Sequence, residues 1–312
     1  MCQTGHNFYA LQQEGLKTWT PDFAEVPSNY HILPKSVGVQ GALDSIPDYV
    51  GIDLVLSHHR FGSFQLLAPI ANFLKVPMIS LEHTLPLRLD TKSGYLGWDN
   101  ARFDYHRNMR AHENVFISDF SRNAWFFDEE ESHVIEHGVD TGLFCPGSSN
   151  PTSRKNACLS VVNDWINRDV FCGFKLWQEI ISGFPYHVLG TTPGLSIPAK
   201  DVKDLARNYR EHSIFVNTSQ ISPIPSSMLE AAASGAAIVS TSTCAIPEIF
   251  TDGYDAFLSN DVSILRKRIE ELLASPERAR EMGLRARQTI LDRFSMDRFV
   301  NDWNCLFNRV TK

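Results

Sequence analysis

Residues 212–258 alternate short apolar blocks with a polar, proline-marked loop, and few folds accept that order. Residues 213–217 are apolar and β-branched, the pattern of a strand buried on both faces. A loop with Pro223 and Pro225 follows. Ser226 stands where it can cap a helix over 227–233, and Gly235 where it can stop that helix. Residues 236–241 read as a second buried strand. Strand, helix and strand in succession make a parallel crossover unit, and such sheets hold ligands beyond the C-terminal ends of their strands. The helix would open on that edge with unpaired amides and the positive end of its dipole, a setting for an anion. Glu230, one turn further in, suits ribose hydroxyls better than phosphates.

The same alternation runs along the chain. Strands are expected at 30–33, 52–57, 76–81, 114–118, 132–138, 158–162 and 186–189. Helical spacing marks 64–74, 201–209, 262–273, 276–294 and 299–310. The polar stretch 147–156, with Pro151, reads as a linker. The expected domains are 1–146, 157–294 and a C-terminal helix at 295–312 that returns to the first domain. At 312 residues with 43% apolar and 21% charged side chains, the chain can bury two ordinary cores. A net charge of −7 makes no general case for nucleic acid or an anionic membrane. The acidic excess lies in the first 140 residues, so an anionic ligand fits the second half better. Six scattered cysteines suggest reduced thiols and a cytoplasmic setting. There is no apolar run of the ~18 residues that a membrane helix needs, and no signal-peptide pattern.

The run Ser222-Pro-Ile-Pro-Ser-Ser-Met-Leu-Glu230-Ala-Ala-Ala-Ser-Gly235, followed by Ile246-Pro-Glu248 and Asp252-Gly253, resembles the donor-site signature of family-4 retaining glycosyltransferases. That resemblance implies the GT-B fold, an α/β architecture of two Rossmann-like domains facing across a cleft. The family pattern is Glu, seven residues, Glu. Its second Glu falls on Glu230 and implies a ribose contact. Its first, which contacts the donor sugar, falls on Ser222, so the chain departs from the family there. Ile224, Pro225, Ser226 and Ser227 belong to the same donor loop. Val139-Asp140-Thr141-Gly142-Leu143-Phe144-Cys145-Pro146 is similar to the stretch where the family's first domain ends.

Further assignments follow from the resemblance. Arg168 and Lys175 fall where the family grips the donor diphosphate, though they are six residues apart where the family usually has four. Gly190 precedes the loop expected near the nucleotide base. His83, ending the 76–81 strand, falls where the family's donor-sugar histidine stands; a capping or core histidine is the other reading. Gly5 could belong to a glycine loop facing the phosphates, with His6 beside it, or to a frayed chain start. His58 and Arg60 end the 52–57 strand and are acceptor-side candidates. Arg88 and Arg107 lie in a basic and aromatic stretch, 88–110, that suits an ordinary amphipathic surface or a nucleic-acid or headgroup contact.

The expected function is metal-independent transfer of a sugar from a UDP- or GDP-linked donor to an acceptor hydroxyl, with retention implied by the resemblance. The nucleotide sugar is a co-substrate, and no separate cofactor or metal is expected. Metal independence is expected because no Asp-x-Asp occurs in the chain. The acceptor stays open among a glycan, a lipid-linked sugar, a protein and a hydroxylated base in DNA, as does the oligomeric state. A non-catalytic nucleotide-sugar or glycan binding protein is the alternative, motivated by Ser222. A remoter one is a zinc metallopeptidase, because His133-Val-Ile-Glu-His137 has the His-x-x-Glu-His spacing. That chemistry requires a helix, and Val134, Ile135 and Gly138 favour a strand.

Overall fold

The computed structural model describes residues 1–12, 19–60, 62–90, 95–97, 100–147 and 154–312. Two units separate: 1–136 together with 300–312, and 137–299. Most of the expected linker lies outside the described residues.

In the first unit, β1 (Phe8–Gln12) and β2 (Tyr30–Lys35) pair in parallel, and α1 (Gly38–Asp44) follows. β3 (Val55–Ser57), α2 (Ser63–Leu74) and β4 (Met78–Glu82) make the next strand, helix and strand. An antiparallel pair, β5 (Arg88–Asp90) and β6 (Tyr95–Gly97), then leads to α3 (Asn100–Arg107). β7 (Glu113–Phe116), α4 (Asp119–Ala124) and β8 (His133–Val134) close the unit's main sheet, which is parallel in the order β3-β4-β7-β8. α2 lays Phe64, Ile70 and Ala71 on Val55 and Met78, as its apolar spacing requires. The strand expected over 132–138 shrinks to two residues. His133 and Val134 stand in register with Val115 and Phe116 of β7, and the Ile135 amide donates to the Phe116 carbonyl at 2.9 Å before the chain turns away.

The second unit holds β9 (Lys155–Val161), α5 (Asp169–Cys172), α6 (Phe174–Ile181), β10 (Tyr186–Leu189) and α7 (Val202–Glu211). β11 (His212–Asn217), α8 (Ser226–Ala233), β12 (Ala237–Ser240), α9 (Ile246–Ile249) and β13 (Ala256–Leu258) follow. α10 (Val262–Ala274) and α11 (Pro276–Arg293) complete it. Its five strands are all parallel in the order β10-β9-β11-β12-β13. Every residue of β11 and β12 is buried, because helices cover both sheet faces. α11 approaches the α8–β12 turn so closely that a Cβ on Gly283 would sit 2.2 Å from the Gly235 carbonyl oxygen. Gly235, at φ 77°, ends α8 as its sequence position suggested.

The division falls at Glu136/His137 rather than after residue 146. Hydrogen bonding explains the difference. The Val139 amide donates to the Phe294 carbonyl at 2.8 Å, and Arg287 on α11 donates to the carbonyls of Phe144 and Thr141 at 3.2 and 3.4 Å. The 139–146 tail is therefore stitched to the second unit. The last helix, α12 (Met296–Val310), gives its residues from Val300 onward to the first unit. There Asn304 bonds His6 and Arg309 pairs with Glu113.

Candidate functional site

In the second unit the strand order reverses between β9 and β11, and a parallel sheet opens a ligand crevice at such a switch point. Three loops meet at this edge. The loop after β9 carries Trp165, which is fully buried, with its indole donating to the Cys172 carbonyl at 2.9 Å. The loop after β10 reaches it through Thr191 and Thr192, whose hydroxyls accept from the amides of Asp164 and Trp165 at 3.2 and 2.9 Å. The loop after β11 is tied to α5. The amides of Gln220 and Ile221 both donate to the Phe171 carbonyl, at 2.8 and 3.1 Å.

Two glycines permit this closeness. A Cβ on Gly173 would lie 2.2 Å from the Thr218 carbonyl oxygen, and one on Gly190 1.9 Å from that of Val162. Gly190, expected among donor contacts, thus has a packing reason of its own.

α8 leaves the β11 loop with its polarity arranged for an anion. Its last carbonyls are satisfied by cations: Arg287 donates to Ala233, and Arg154 to Ser234 and Gly235. At its other end the N-cap is Pro225, which has no side-chain acceptor. Ser226 was expected to cap the helix. It stands inside it instead, because the extended Pro225 (φ −70°, ψ 108°) already occupies the cap. The Met228 amide folds back to the Pro225 carbonyl at 3.1 Å. The amides of Ser226 and Ser227 have no acceptor among the described residues. Ile224 and Pro225 are buried, so they can offer a ligand little more than backbone, while Ser222 and Ser227 are half-buried and Ser226 is exposed.

Glu230 sits one turn along α8, half-buried, with Oε2 accepting from the Tyr209 hydroxyl at 2.9 Å. Burial pushes its carboxyl up to about 7, against the opposing pull of the Tyr209 hydrogen bond. Arg168 opens α5 and Lys175 lies in the first turn of α6, both after β9. Arg168 is exposed and bends to the Asn163 carbonyl at 3.3 Å. Lys175 is 84% exposed, its ammonium 3.9 Å from the Asp169 carboxylate. Arg168, Lys175, Ser222 and Glu230 thus share one sheet edge.

In the first unit, His58 and His83 follow the neighbouring strands β3 and β4. Their rings stack at 5.4 Å with an interplanar angle of 10°, and His58 Nδ1 lies 3.2 Å from His83 Nε2. Glu82, fully buried, holds both loops. Its Oε2 accepts the Arg60 amide at 2.9 Å; its Oε1 accepts the Thr84 amide at 3.0 Å and hydroxyl at 2.6 Å.

Arg60 is no surface group. It is fully buried, ion-paired to Glu82 at 3.6 Å, bonded to Asn114 at 2.8 Å and enclosed by Phe116, Trp125 and Phe127. An acceptor contact through its side chain is therefore replaced by a structural role. Gly5 (φ 83°) closes a 3-10 turn before β1, at the edge where that strand starts, and a parallel sheet binds at the opposite edge. His6 packs edge-on against Phe307 and bonds Asn304 at 3.1 Å, which also gives it a structural place. Arg107 stacks over Phe126 at 5.1 Å. Arg88 opens β5; its side chain lies outside the described part of the structure, as does much of the 88–110 segment.

His133 and His137 do not share a helix. His133 lies in β8 and bonds Glu113 at 2.8 Å, while His137 follows in irregular chain. The metallopeptidase reading loses its geometric basis. Among the described residues, no group of three or more His, Cys, Asp or Glu side chains could hold a metal ion. Tyr209 and Glu82 were not foreseen. Tyr209 carries no local signal. Glu82 did carry one: a carboxylate directly ending the apolar run 76–81 has to find partners when buried.

Known proteins bear out the reading of the fold. Residues 175–304 match the family model described as "Glycosyl transferase-like". A stretch of 107 residues is 34% identical to alpha-maltose-1-phosphate synthase of Mycolicibacterium smegmatis, covering 32% of this chain and 28% of that protein. The chain thus matches less than a third of that relative's length. Sucrose-phosphate synthase of Thermosynechococcus elongatus superposes with a TM-score of 0.73 at 14% identity, over 97% of this chain and 88% of that one. HepE of Anabaena, solved with UDP and glucose, superposes at 0.69 and 12% identity, over 91% and 86% of the two chains. Identities this low carry the fold alone, and the fold is that of the GT-B glycosyltransferases. Over residues 175–304 the likeness to glycosyltransferases extends to the sequence as well.

Proposed function

We propose that this protein transfers a sugar from a UDP- or GDP-linked donor to an acceptor hydroxyl, with retention and without a metal. The observation that carries the reading is the polarity of α8. Its C-terminal carbonyls are capped by Arg154 and Arg287, its first amides have no acceptor among the described residues, and Glu230 stands one turn behind them. That arrangement suits a nucleoside diphosphate, with phosphate at the amides and ribose at the carboxylate.

Sugar transfer passes through an oxocarbenium-like state while negative charge grows on the departing diphosphate. Groups that meet that charge more strongly in the transition state than before it raise the rate. Arg168, Lys175 and the α8 amides are assigned that work. His83 is assigned to the donor sugar on the strength of the family resemblance, which is also the support for retention. Metal independence is supported by the absence of Asp-x-Asp from the sequence. Ser222, neutral and shorter than the family's glutamate, favours a donor other than the common hexoses, or looser discrimination among sugar hydroxyls. The same residue motivates the second reading, a protein that binds nucleotide sugars without turning them over. The acceptor is a glycan, a lipid-linked sugar, a protein or a hydroxylated DNA base. All six cysteines are unpaired, which supports a reducing, cytoplasmic setting.

A donor panel tests the proposal. A nucleotide sugar at 100 times its dissociation constant should stabilise the chain by about 2.7 kcal/mol, read as a thermal shift. Arg168→Ala and Lys175→Ala should each lower turnover by roughly a hundredfold or more and leave melting unchanged, since both side chains are exposed. EDTA should have no effect. Binding without turnover would favour the second reading, and no binding across the panel would defeat both.

A further inference from the structure

We propose that Tyr209 is a positioning residue for Glu230: its buried phenol fixes one carboxylate oxygen so that the other is presented to a ribose diol. The inference rests on the reading of Glu230 as the ribose-binding residue.

The geometry is specific. Tyr209 is fully buried on α7, its ring held between Phe144 and Phe215, each with its centroid 5.9 Å away. A phenol in a fixed ring has one proton to give, and here it goes to Glu230 Oε2 at 2.9 Å. Glu230 Oε1 has no hydrogen-bond partner among the described residues. A glutamate on a helix has three rotatable bonds, and anchoring one oxygen orders them before a ligand arrives. The charged groups packed around α8 do not compete. Arg154 and Arg287 are bonded to carbonyls at its far end, and β11 offers the nearby His212, whose Nδ1 pairs with the Asn208 carbonyl at 2.8 Å. Among the described residues, Tyr209 is therefore the titratable group that faces the carboxyl, and burial beside Glu230 holds its own phenol well above the ordinary range.

Ribose hydroxyls donate to a carboxylate, so nucleotide binding favours ionised Glu230. Burial brings that ionisation up to about 7, and the Tyr209 bond opposes the rise. Affinity should climb as pH passes through 7, and removing the phenolic proton donor should move the climb to higher pH.

The test is calorimetric titration of UDP, or of GDP if the donor panel selects it, from pH 6 to 8.5 with the full chain. A 2′,3′-dideoxy analogue accounts for titration of the phosphates. Wild type should gain about tenfold in affinity between pH 6 and 8, as the competent ionised fraction rises. Tyr209→Phe keeps the ring and should displace the midpoint upward by roughly one pH unit. Placing 3-fluorotyrosine at 209, a stronger donor, should move it downward, and provides a second arm if the phenylalanine variant folds poorly. Glu230→Gln should bind weakly with a flat profile. If Glu230→Gln keeps wild-type affinity and profile, the ribose reading falls. If Glu230→Gln behaves as expected while both Tyr209 variants keep the wild-type midpoint, the positioning role falls. Uniform loss in Tyr209→Phe with an unmoved midpoint marks a packing residue and also overturns the inference.

Discussion

Neutralising Glu82 should damage the first unit more than its distance from any strand centre suggests. Glu82 and Arg60 are both fully buried, with the guanidinium 3.6 Å from the carboxylate and walled by Phe116, Trp125 and Phe127. Burial already pushes Arg60 down to about 10, and the Glu82 charge is the largest influence holding it up. Glu82→Gln keeps the shape and the acceptor for Thr84 but leaves Arg60 without a counter-charge. Removing one partner of a buried pair costs about 3–5 kcal/mol. Arg60→Met should cost about 3 kcal/mol, the low end, because Glu82 keeps its Thr84 and backbone donors. The double variant buries no charge. Its cost should fall short of the sum by about 2–3 kcal/mol, the coupling of the pair. Urea unfolding with hydrogen exchange at the β4 and β7 amides reads this locally, which matters in a chain of two units. A Glu82→Gln cost below about 1 kcal/mol, or single costs that simply add, would refute the reasoning. Turnover should fall with stability in these variants, since Glu82 also sets the loops that carry His58 and His83.

Two further outcomes are expected. Gly190→Ala places a Cβ 1.9 Å from the Val162 carbonyl oxygen at φ 142° and should cost about 2–4 kcal/mol in urea unfolding. Gly194→Ala, at φ 75° in open space, should cost only about 1 kcal/mol, and equal costs would show that close approach is not what Gly190 serves. Burial, and then the Arg298 charge, holds His137 down at about 4, so it is neutral when folded and takes a proton more readily when unfolded. Its contribution is complete above the ordinary histidine range near 6.5 and is lost as pH falls toward 4, to a limit of about 3 kcal/mol. His137→Gln should flatten that part of the stability profile between pH 7 and 4, and an unchanged slope would exclude the residue as the source.

Strand and helix order was readable along most of the second unit, because a strand covered on both faces must be continuously apolar and a covering helix must be apolar on one side. Residues 237–240, buried throughout, and the α8–Gly235 stop are examples. The loop and helix that carry the 222–235 signature were readable for the same local reason: they are one loop and one helix turn, and their residues are neighbours in the chain. Other features depended on distant partners. Ser226 looked like a cap, yet Pro225 took that position through the path of the β11 loop. Arg60 was an acceptor-side candidate at a strand end, and only the sheet brought Glu82, Asn114 and three aromatic rings around it. Gly5, with His6 beside it, could be read as a phosphate loop or as a frayed chain start until parallel pairing with β2 fixed which sheet edge it stands on. Tyr209 was silent in the sequence, because a hydrogen bond to Glu230 across two helices leaves no periodicity or spacing to read. Local pattern reports which face of an element is dry; which polar groups meet inside is set by packing, where an unpaired buried charge or donor costs too much to leave unmatched.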